Sequence, residues 1–235
     1  MKKVLFLSIL LFATALVYAQ QLEKDVTKFL GIPVDGSKSE MIKKLKAKGF
    51  DFNYENGGTN YLTGEFNGRD VNIYVVTNNN KVYRIMVADA NYVSETDIKI
   101  RFNTLCSQFD KNERYIRASL LDDYNIPEDE DISYEMAIRN KRYQASYYQV
   151  NHEADSTEIK SKVAEYITQK YESPEALENL SEDDKMLAFA KILQKTIDEM
   201  FRNYSVWFMI TESYGKYGIV IFYDNEYNKA NGEDL

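Results

Sequence analysis

The chain contains one cysteine, one histidine, one tryptophan and three prolines among its 235 residues. With Cys106 as the sole cysteine, no disulfide can form within the chain, so burial of apolar side chains must stabilise the fold. His152 is the only imidazole, and neither H-E-x-x-H nor C-x-x-C occurs, which argues against the common zinc sites. A G-x-S-x-G sequence is also missing, which argues against a serine hydrolase with that motif. These absences predict no catalytic nucleophile, no metal site and no cofactor.

The composition narrows the class of partner. Acidic residues outnumber basic ones by 37 to 29, and the formal net charge is −8. A protein that binds nucleic acid needs an excess of lysine and arginine on some surface to neutralise phosphates. The balance therefore argues against a nucleic-acid partner. The 19 tyrosines are more typical of strands and contact surfaces than of disordered chains.

The N-terminus has the three parts of a secretory signal peptide. Lys2 and Lys3 form a basic start, residues 4–17 are almost entirely apolar, and Val17-Tyr18-Ala19 offers small residues at the cleavage positions. The apolar stretch is shorter than the roughly 20 residues that cross a bilayer. We therefore expect cleavage after Ala19, a mature chain without a transmembrane segment, and a periplasmic or secreted protein. No cysteine follows the cleavage point, so a lipid anchor there is not expected.

The order of a helix followed by strands occurs twice in the chain. A capping box at 37–40 begins a helix over about 38–48, and a weaker box at 94–97 begins a second apolar helical stripe. Strands are expected after the second helix at roughly 113–121, 132–139 and 142–149, with a turn at Asn140-Lys141. We interpret residues 20–92 and 93–151 as two degenerate units, each a helix with antiparallel strands.

The C-terminal part, residues 152–235, is predicted to contain helices and a closing β-hairpin. Ser173-Pro174 begins a short helix, and Ser181 begins a long one that ends near Arg202. Two final strands, at about 205–212 and 217–224, are apolar on both faces, as is typical of the middle of a covered sheet. The whole pattern predicts an α+β fold, with one domain or two.

Two turns predict the same core face in three consecutive strands. Asn67-Gly68 is a strong signal for a two-residue hairpin, and it pairs Leu62 with Ile73. A second turn at 78–80 pairs Ile73 with Ile85. Two independent turns therefore direct the same side chains to the core.

The same registers bring three side chains together on the opposite face of the predicted sheet. Tyr61 and Tyr74 pair across the first hairpin, and Arg84 lies beside Tyr74 across the second turn. Tyrosine and arginine are enriched among the residues that dominate binding energy, and a guanidinium stacks well on an aromatic ring. We predict that Tyr61, Tyr74 and Arg84 form the anchor of a binding surface. In the alternative, they are ordinary sheet surface or are covered by the C-terminal helices.

Other residues that carry chemistry have simpler interpretations. Cys106 and His152 would form a nucleophile and its base if they met in space, but Cys106 falls on the apolar stripe of its helix and is expected to be buried. His152, Glu153 and Asp155 are a poor set of zinc ligands. The acidic segments 122–131 and 224–228 lack the pattern of a calcium-binding loop and are expected to be solvated, although their calcium binding stays open.

Parts of the sequence resemble known proteins. The runs FLGIPVDGSKSEMIKKLKAKGFDF and FYDNEYNKANGEDL are similar to secreted proteins of unknown function from Bacteroides-like gut bacteria. The element order also resembles, more loosely, the tandem helix-then-strands architecture of the beta-lactamase inhibitor proteins and of the BamE-type outer-membrane assembly lipoprotein, although the lipoprotein cysteine is missing. The resemblance implies a binding or inhibitory role in the cell envelope, on the strength of fold analogy alone.

Two functions are compatible with these observations. The first is an exported, non-catalytic binding protein of the cell envelope that recognises a protein partner, with an inhibitor or immunity protein as its more specific form. The alternative is a carboxylate-dependent hydrolase acting on an envelope or extracellular substrate, because the separation of a catalytic carboxylate pair is spatial. The oligomeric state is left open.

Overall fold

The computed structural model describes residues 26–54, 60–150, 152–171 and 181–230. The predicted signal peptide and the predicted short helix at Ser173-Pro174 lie outside these residues. The described part of the chain contains five α-helices and ten strands in two antiparallel sheets, so the fold belongs to the α+β class. None of the described helices is both long and apolar enough to span a membrane.

The helices are α1 (Lys38–Ala47), α2 (Glu95–Asp110), α3 (Ile132–Arg139), α4 (His152–Tyr171) and α5 (Glu182–Phe201). The strands are β1 (Lys28–Phe29), β2 (Ile32–Pro33), β3 (Asp51–Tyr54), β4 (Asn60–Phe66), β5 (Arg69–Asn78), β6 (Lys81–Asp89), β7 (Tyr115–Arg117), β8 (Gln144–Gln149), β9 (Ser205–Ser213) and β10 (Lys216–Asp224). β1 and β2 form a small hairpin, and the other strands form one sheet in the order β3-β4-β5-β6-β10-β9-β8-β7.

The large sheet consists of two four-stranded meanders joined through their last strands. β3 to β6 pair in chain order, and so do β7 to β10. β6 then pairs antiparallel with β10, with Val87 opposite Ile221 and Arg84 opposite Asp224. The closing hairpin β9–β10 therefore lies in the middle of the sheet, although α4 and α5 separate it from β8 along the chain.

The first predicted hairpin is confirmed in its register, whereas the second is shifted. Leu62 pairs with Ile73 as expected, but Ile73 pairs with Val87 and not with Ile85. The second turn contains only Asn79-Asn80, both with positive φ, and an irregularity in the β5–β6 pairing inserts one more residue. The β5–β6 register is therefore shifted by two residues in total. Because side chains alternate between the two faces of a strand, an even shift leaves Ile73 and Ile85 on the core face.

The predicted strand at 132–139 is wrong, because this segment forms α3. The Asp131 side chain caps the helix by accepting a hydrogen bond from the Tyr134 amide at 2.8 Å, and Asn140 ends it with a φ of 54°. An asparagine in this left-handed conformation ends a helix as readily as it forms a hairpin turn. The α3 side chains Tyr134 and Ile138 are exposed.

The hydrophobic core lies between one face of the large sheet and helices α1 and α2. One row of buried side chains crosses six strands: Leu62, Ile73, Val87, Ile221, Phe208 and Ala145. α1 adds Met41 and Leu45, while α2 adds the predicted stripe that includes Phe102 and Phe109. Phe29 of the N-terminal hairpin is fully buried against Tyr223, with ring centroids 4.9 Å apart.

Helix α5 contacts the segment that follows β7 and the neighbouring strand β8. The Gln194 side chain accepts a hydrogen bond from the Leu120 amide at 2.7 Å and donates one to the Ala118 carbonyl. Asp198, one turn further along α5, accepts a hydrogen bond from the Tyr148 hydroxyl at 3.1 Å. The two contacts of Gln194 satisfy backbone groups of the segment that follows the edge strand.

The close approach of β4 to a core ring gives a test of this packing. A Cβ added to Gly64 would lie 2.5 Å from Cδ1 of Phe50, which is buried. We expect Gly64→Ala to lower the free energy of unfolding by about 1–3 kcal/mol, because the ring must move within a packed core. Urea unfolding followed by circular dichroism measures it. The control Asn72→Ala, on the opposite face of β5, should change stability by less than about 0.5 kcal/mol. Equal losses in the two variants would contradict this packing.

Candidate binding face

The face of the large sheet opposite the core carries a row of apolar, mainly aromatic side chains. The strand registers place Tyr61, Tyr74, Met86, Phe222 and Trp207 next to one another on β4, β5, β6, β10 and β9. We call these five residues the aromatic row and this side of the sheet the outer face. The row spans about 19 Å, given a strand spacing of about 4.8 Å.

The side chains of the aromatic row shield one another, so that four of them are partly exposed and the fifth, Phe222, is buried. Tyr61, Tyr74, Met86 and Trp207 are of intermediate burial, and Phe222 is 9% exposed. The rings of Trp207 and Phe222 stack with centroids 4.0 Å apart, and those of Tyr61 and Tyr74 with centroids 5.8 Å apart. Side chains already held in this way lose little conformational entropy when a partner binds.

An ion pair lies beside the aromatic row, next to its β6 and β10 members. Arg84 donates from Nε to Oδ1 of Asp224 at 2.5 Å and from its second guanidinium nitrogen to Oδ2 at 2.6 Å. Asp224 is buried and also accepts a hydrogen bond from the Trp207 indole at 3.1 Å. The Arg84 guanidinium lies 4.7 Å from the centre of the Phe222 ring. The hydrogen bonds to Asp224 raise the pKa of Arg84, so the guanidinium stays charged beside the rings.

The structure places two of the three predicted anchor residues as expected. Tyr61 and Tyr74 are neighbours on the outer face. Arg84 is on the same face, but its predicted position beside Tyr74 is wrong, because Arg84 pairs with Val76 and Met86 takes the place opposite Tyr74. The register shift at the second turn causes this displacement. Arg84 therefore supports the row from the side, through Asp224.

Sequence reasoning missed Trp207 and Phe222. The signal that points to them is the apolar character of both faces of β9 and β10, which we interpreted as burial between two layers. In the structure one face of these strands packs in the core, and the other carries two of the five residues of the aromatic row. An apolar second face on a central strand thus marks either a covering layer or a contact surface.

The cysteine and the histidine have no observed catalytic arrangement. Cys106 is buried among the core side chains of α2, and burial raises the pKa of its thiol to about 12. His152 begins α4, but its side chain lies outside the described residues, as do those of Glu153 and Asp155. Within the described part of the chain, no three His, Cys, Asp or Glu residues form a group that could hold a metal ion.

The expectation that both acidic segments are solvated is wrong for residues 224–228, in which Asp224 and Asn228 are buried, and both segments have internal partners. Glu130 forms an ion pair with Lys141 and accepts a hydrogen bond from the Tyr143 hydroxyl at 2.5 Å. Asn228 donates hydrogen bonds to the Asp35 carboxylate at 2.7 Å and to the Val82 carbonyl at 2.8 Å. Together with the cap at Asp131, these contacts show that the segments connect elements of the fold.

A second candidate site is a cleft of about 1470 Å³ at one end of the sheet. It lies between the N-terminal hairpin, the end of α2 and the junction of α5 with β9. Four glutamates line its wall: Glu65, Glu113, Glu158 and Glu199. Two of them belong to ion pairs along the helices, because Glu158 lies 3.6 Å from Lys162 and Glu199 lies 3.7 Å from Lys195. This arrangement gives the hydrolase hypothesis no specific support.

Comparisons with protein-family models, with curated proteins and with solved structures found no significant match. The geometry of the outer face is therefore the basis for assigning a function.

The ion pair beside the aromatic row gives a prediction for stability. Arg84→Ala should lower the free energy of unfolding by about 1–3 kcal/mol, because it leaves the buried Asp224 carboxylate without its charged donor. Chemical denaturation measures the loss. A second variant, Arg84→Ala with Asp224→Asn, should recover part of it. A fully stable Arg84→Ala protein would contradict the supporting role of the pair.

The buried thiol gives a prediction for reactivity. A cysteine with a pKa near 12 carries almost no thiolate at pH 8, so Cys106 should react with a thiol reagent far more slowly in the folded protein than in denaturant. Labelling with and without urea, followed by mass spectrometry, measures the ratio of rates. Equal rates in the two states would reopen the interpretation of Cys106 as a nucleophile.

Proposed function

We propose that this protein is an exported, non-catalytic binding protein of the cell envelope that recognises a protein partner through the aromatic row. The observation that carries the proposal is the stacked set of mostly part-exposed aromatic side chains on a sheet face, supported by a partly buried ion pair. Tyrosine, tryptophan and arginine are the residue types that dominate binding energy in protein interfaces.

The shape of the outer face favours a protein over a small molecule. Pockets for small molecules are concave and surround most of the ligand. The aromatic row instead extends across five strands, a width that suits the roughly 800 Å² that each partner buries in a standard interface. The signal-like N-terminus supports export, and the acidic composition argues against nucleic acid as the partner.

An inhibitor or immunity protein is the more specific form of this proposal. Such proteins bind a folded enzyme through a surface that is formed before the encounter. The contacts from Arg84 and Trp207 to Asp224, with the stacked rings, support preorganisation of this kind.

Photocrosslinking tests the proposal directly. A photoreactive phenylalanine derivative replaces Asn72, which lies on the outer face one row from the aromatic row, or Ile100, which is 61% exposed on α2. The protein is then irradiated with the envelope fraction of its native host. We expect one specific adduct from position 72 and none from position 100, since only the first lies on the proposed interface.

Replacement of a central anchor provides the control. Trp207→Ala in the position-72 protein should weaken capture by at least about 30-fold, equivalent to about 2 kcal/mol. Adducts that form equally from both positions, or that do not depend on Trp207, would rule out recognition through the aromatic row.

A further inference from the structure

One end of the outer face is acidic. Glu65 and Asp70 lie directly opposite each other where β4 turns into β5, and Asp51 lies opposite Thr63 on β3, on the same face. We call Asp51, Glu65 and Asp70 the acidic margin. All three are exposed, and in the described part of the chain none forms an ion pair with a lysine or arginine. The Asp70 carboxylate accepts a hydrogen bond from the Asn91 side chain at 3.3 Å.

The acidic margin works against the stability of the hairpin that carries it. Like charges directly opposite each other on a sheet repel, and a lysine or arginine at either position would relieve the repulsion. Arg84, the arginine beside the aromatic row, is already neutralised by Asp224 and adds no free positive charge. Arg69, the neighbour of Asp70, lines the same shallow pocket as Glu65 and Asp70 but forms no ion pair with them within the described residues. The outer face therefore combines an apolar row with an end that carries three carboxylates.

The aromatic row and the acidic margin share strand β4. Tyr61 and Glu65 are four residues apart and point to the same face, which separates their positions by about 13 Å at a rise of about 3.3 Å per residue. An extended segment of a partner covers the same distance in four residues. One continuous segment of a partner is therefore long enough to place an apolar side chain on the aromatic row and a cation at the acidic margin.

We infer that the outer face takes a cationic, apolar segment of the partner protein, with an aromatic or aliphatic side chain on the aromatic row and a lysine or arginine against the acidic margin. This inference rests on the proposed function and names the chemistry of its partner. The carboxylates of the acidic margin would repel an anionic partner segment. The margin does not provide a group of three ligands for a metal ion within the described residues, which argues against a divalent cation as the occupant.

Selection from random peptides tests the inference while the partner is still unidentified. The probe is a phage-displayed library of 12-residue peptides, selected on the immobilised full-length protein. We expect enriched peptides to carry lysine or arginine three to five positions from a large apolar residue. Their binding should weaken at least about tenfold in the variant Glu65→Gln/Asp70→Asn and at raised salt, because the attraction to the margin is electrostatic.

A matched variant controls for total charge. Glu128→Gln/Asp129→Asn removes the same two charges from the exposed loop before α3, and it should leave peptide binding within about twofold of the original protein. Thermal unfolding checks that the Glu65→Gln/Asp70→Asn protein is folded, with a Tm at or above the original because a repulsion is removed. If it is unfolded, Glu65→Gln alone replaces it.

The outcomes separate this inference from the proposed function. Peptides that lose binding in Trp207→Ala but not in Glu65→Gln/Asp70→Asn would overturn the cationic segment and keep the aromatic row as the site. Peptides that still bind Trp207→Ala would overturn both. Enriched peptides without a cation, an equal loss in the charge control, or a selection with no enrichment would each overturn the inference.

Discussion

The pairing of β6 with β10 is the contact on which the rest of the structure depends. It joins residues that lie more than 130 positions apart in the chain and makes one sheet from two meanders.

Polar contacts secure both ends of the junction between β6 and β10. At one end Arg84 binds Asp224, and at the other the buried Asp89 carboxylate accepts a hydrogen bond from the Ile219 amide at 2.9 Å. Asp89 also forms an ion pair with Arg101, which ties α2 to the same strand pair. Buried polar groups that are all satisfied favour one register over its neighbours.

This junction explains why one strand is apolar on both faces. Ile221 of β10 faces the core, and its neighbour Phe222 faces outwards, where Trp207 and Met86 flank it on the adjacent strands. In the middle of a wide sheet, lateral neighbours remove much of a side chain from water. Helix α5 also contacts this face at β8, where Asp198 accepts a hydrogen bond from Tyr148. The outer-face side chains of β10, including Phe222, are therefore buried, while Trp207 and Met86 stay partly exposed.

Local signals predicted those parts of the fold that local contacts determine. The caps at Ser37, Ser94 and Ser181 marked the helices α1, α2 and α5, because a cap depends only on residues within one turn. α3 was missed because alternating apolar residues followed by an asparagine fit a strand and a short helix equally well. Tyr61 and Tyr74 were found because one tight turn sets their register. Phe222 and Trp207 were missed because their place beside Met86 depends on the β6–β10 pairing, for which no local sequence pattern exists.

The order of assembly follows from the same difference between local and distant contacts. The first meander is contiguous from β3 to β6, so each of its pairings closes a short loop at low entropic cost. The second meander must bring β8 to β9 across α4 and α5, and β10 must then find β6, which has an unpaired edge until it does. We therefore expect the first meander to form before the closing hairpin docks.

The aromatic row draws its residues from both meanders. Tyr61, Tyr74 and Met86 belong to the first meander, and Phe222 and Trp207 to the second. The aromatic row is complete only when the two have joined, so recognition through it requires the fully folded sheet and not either half alone.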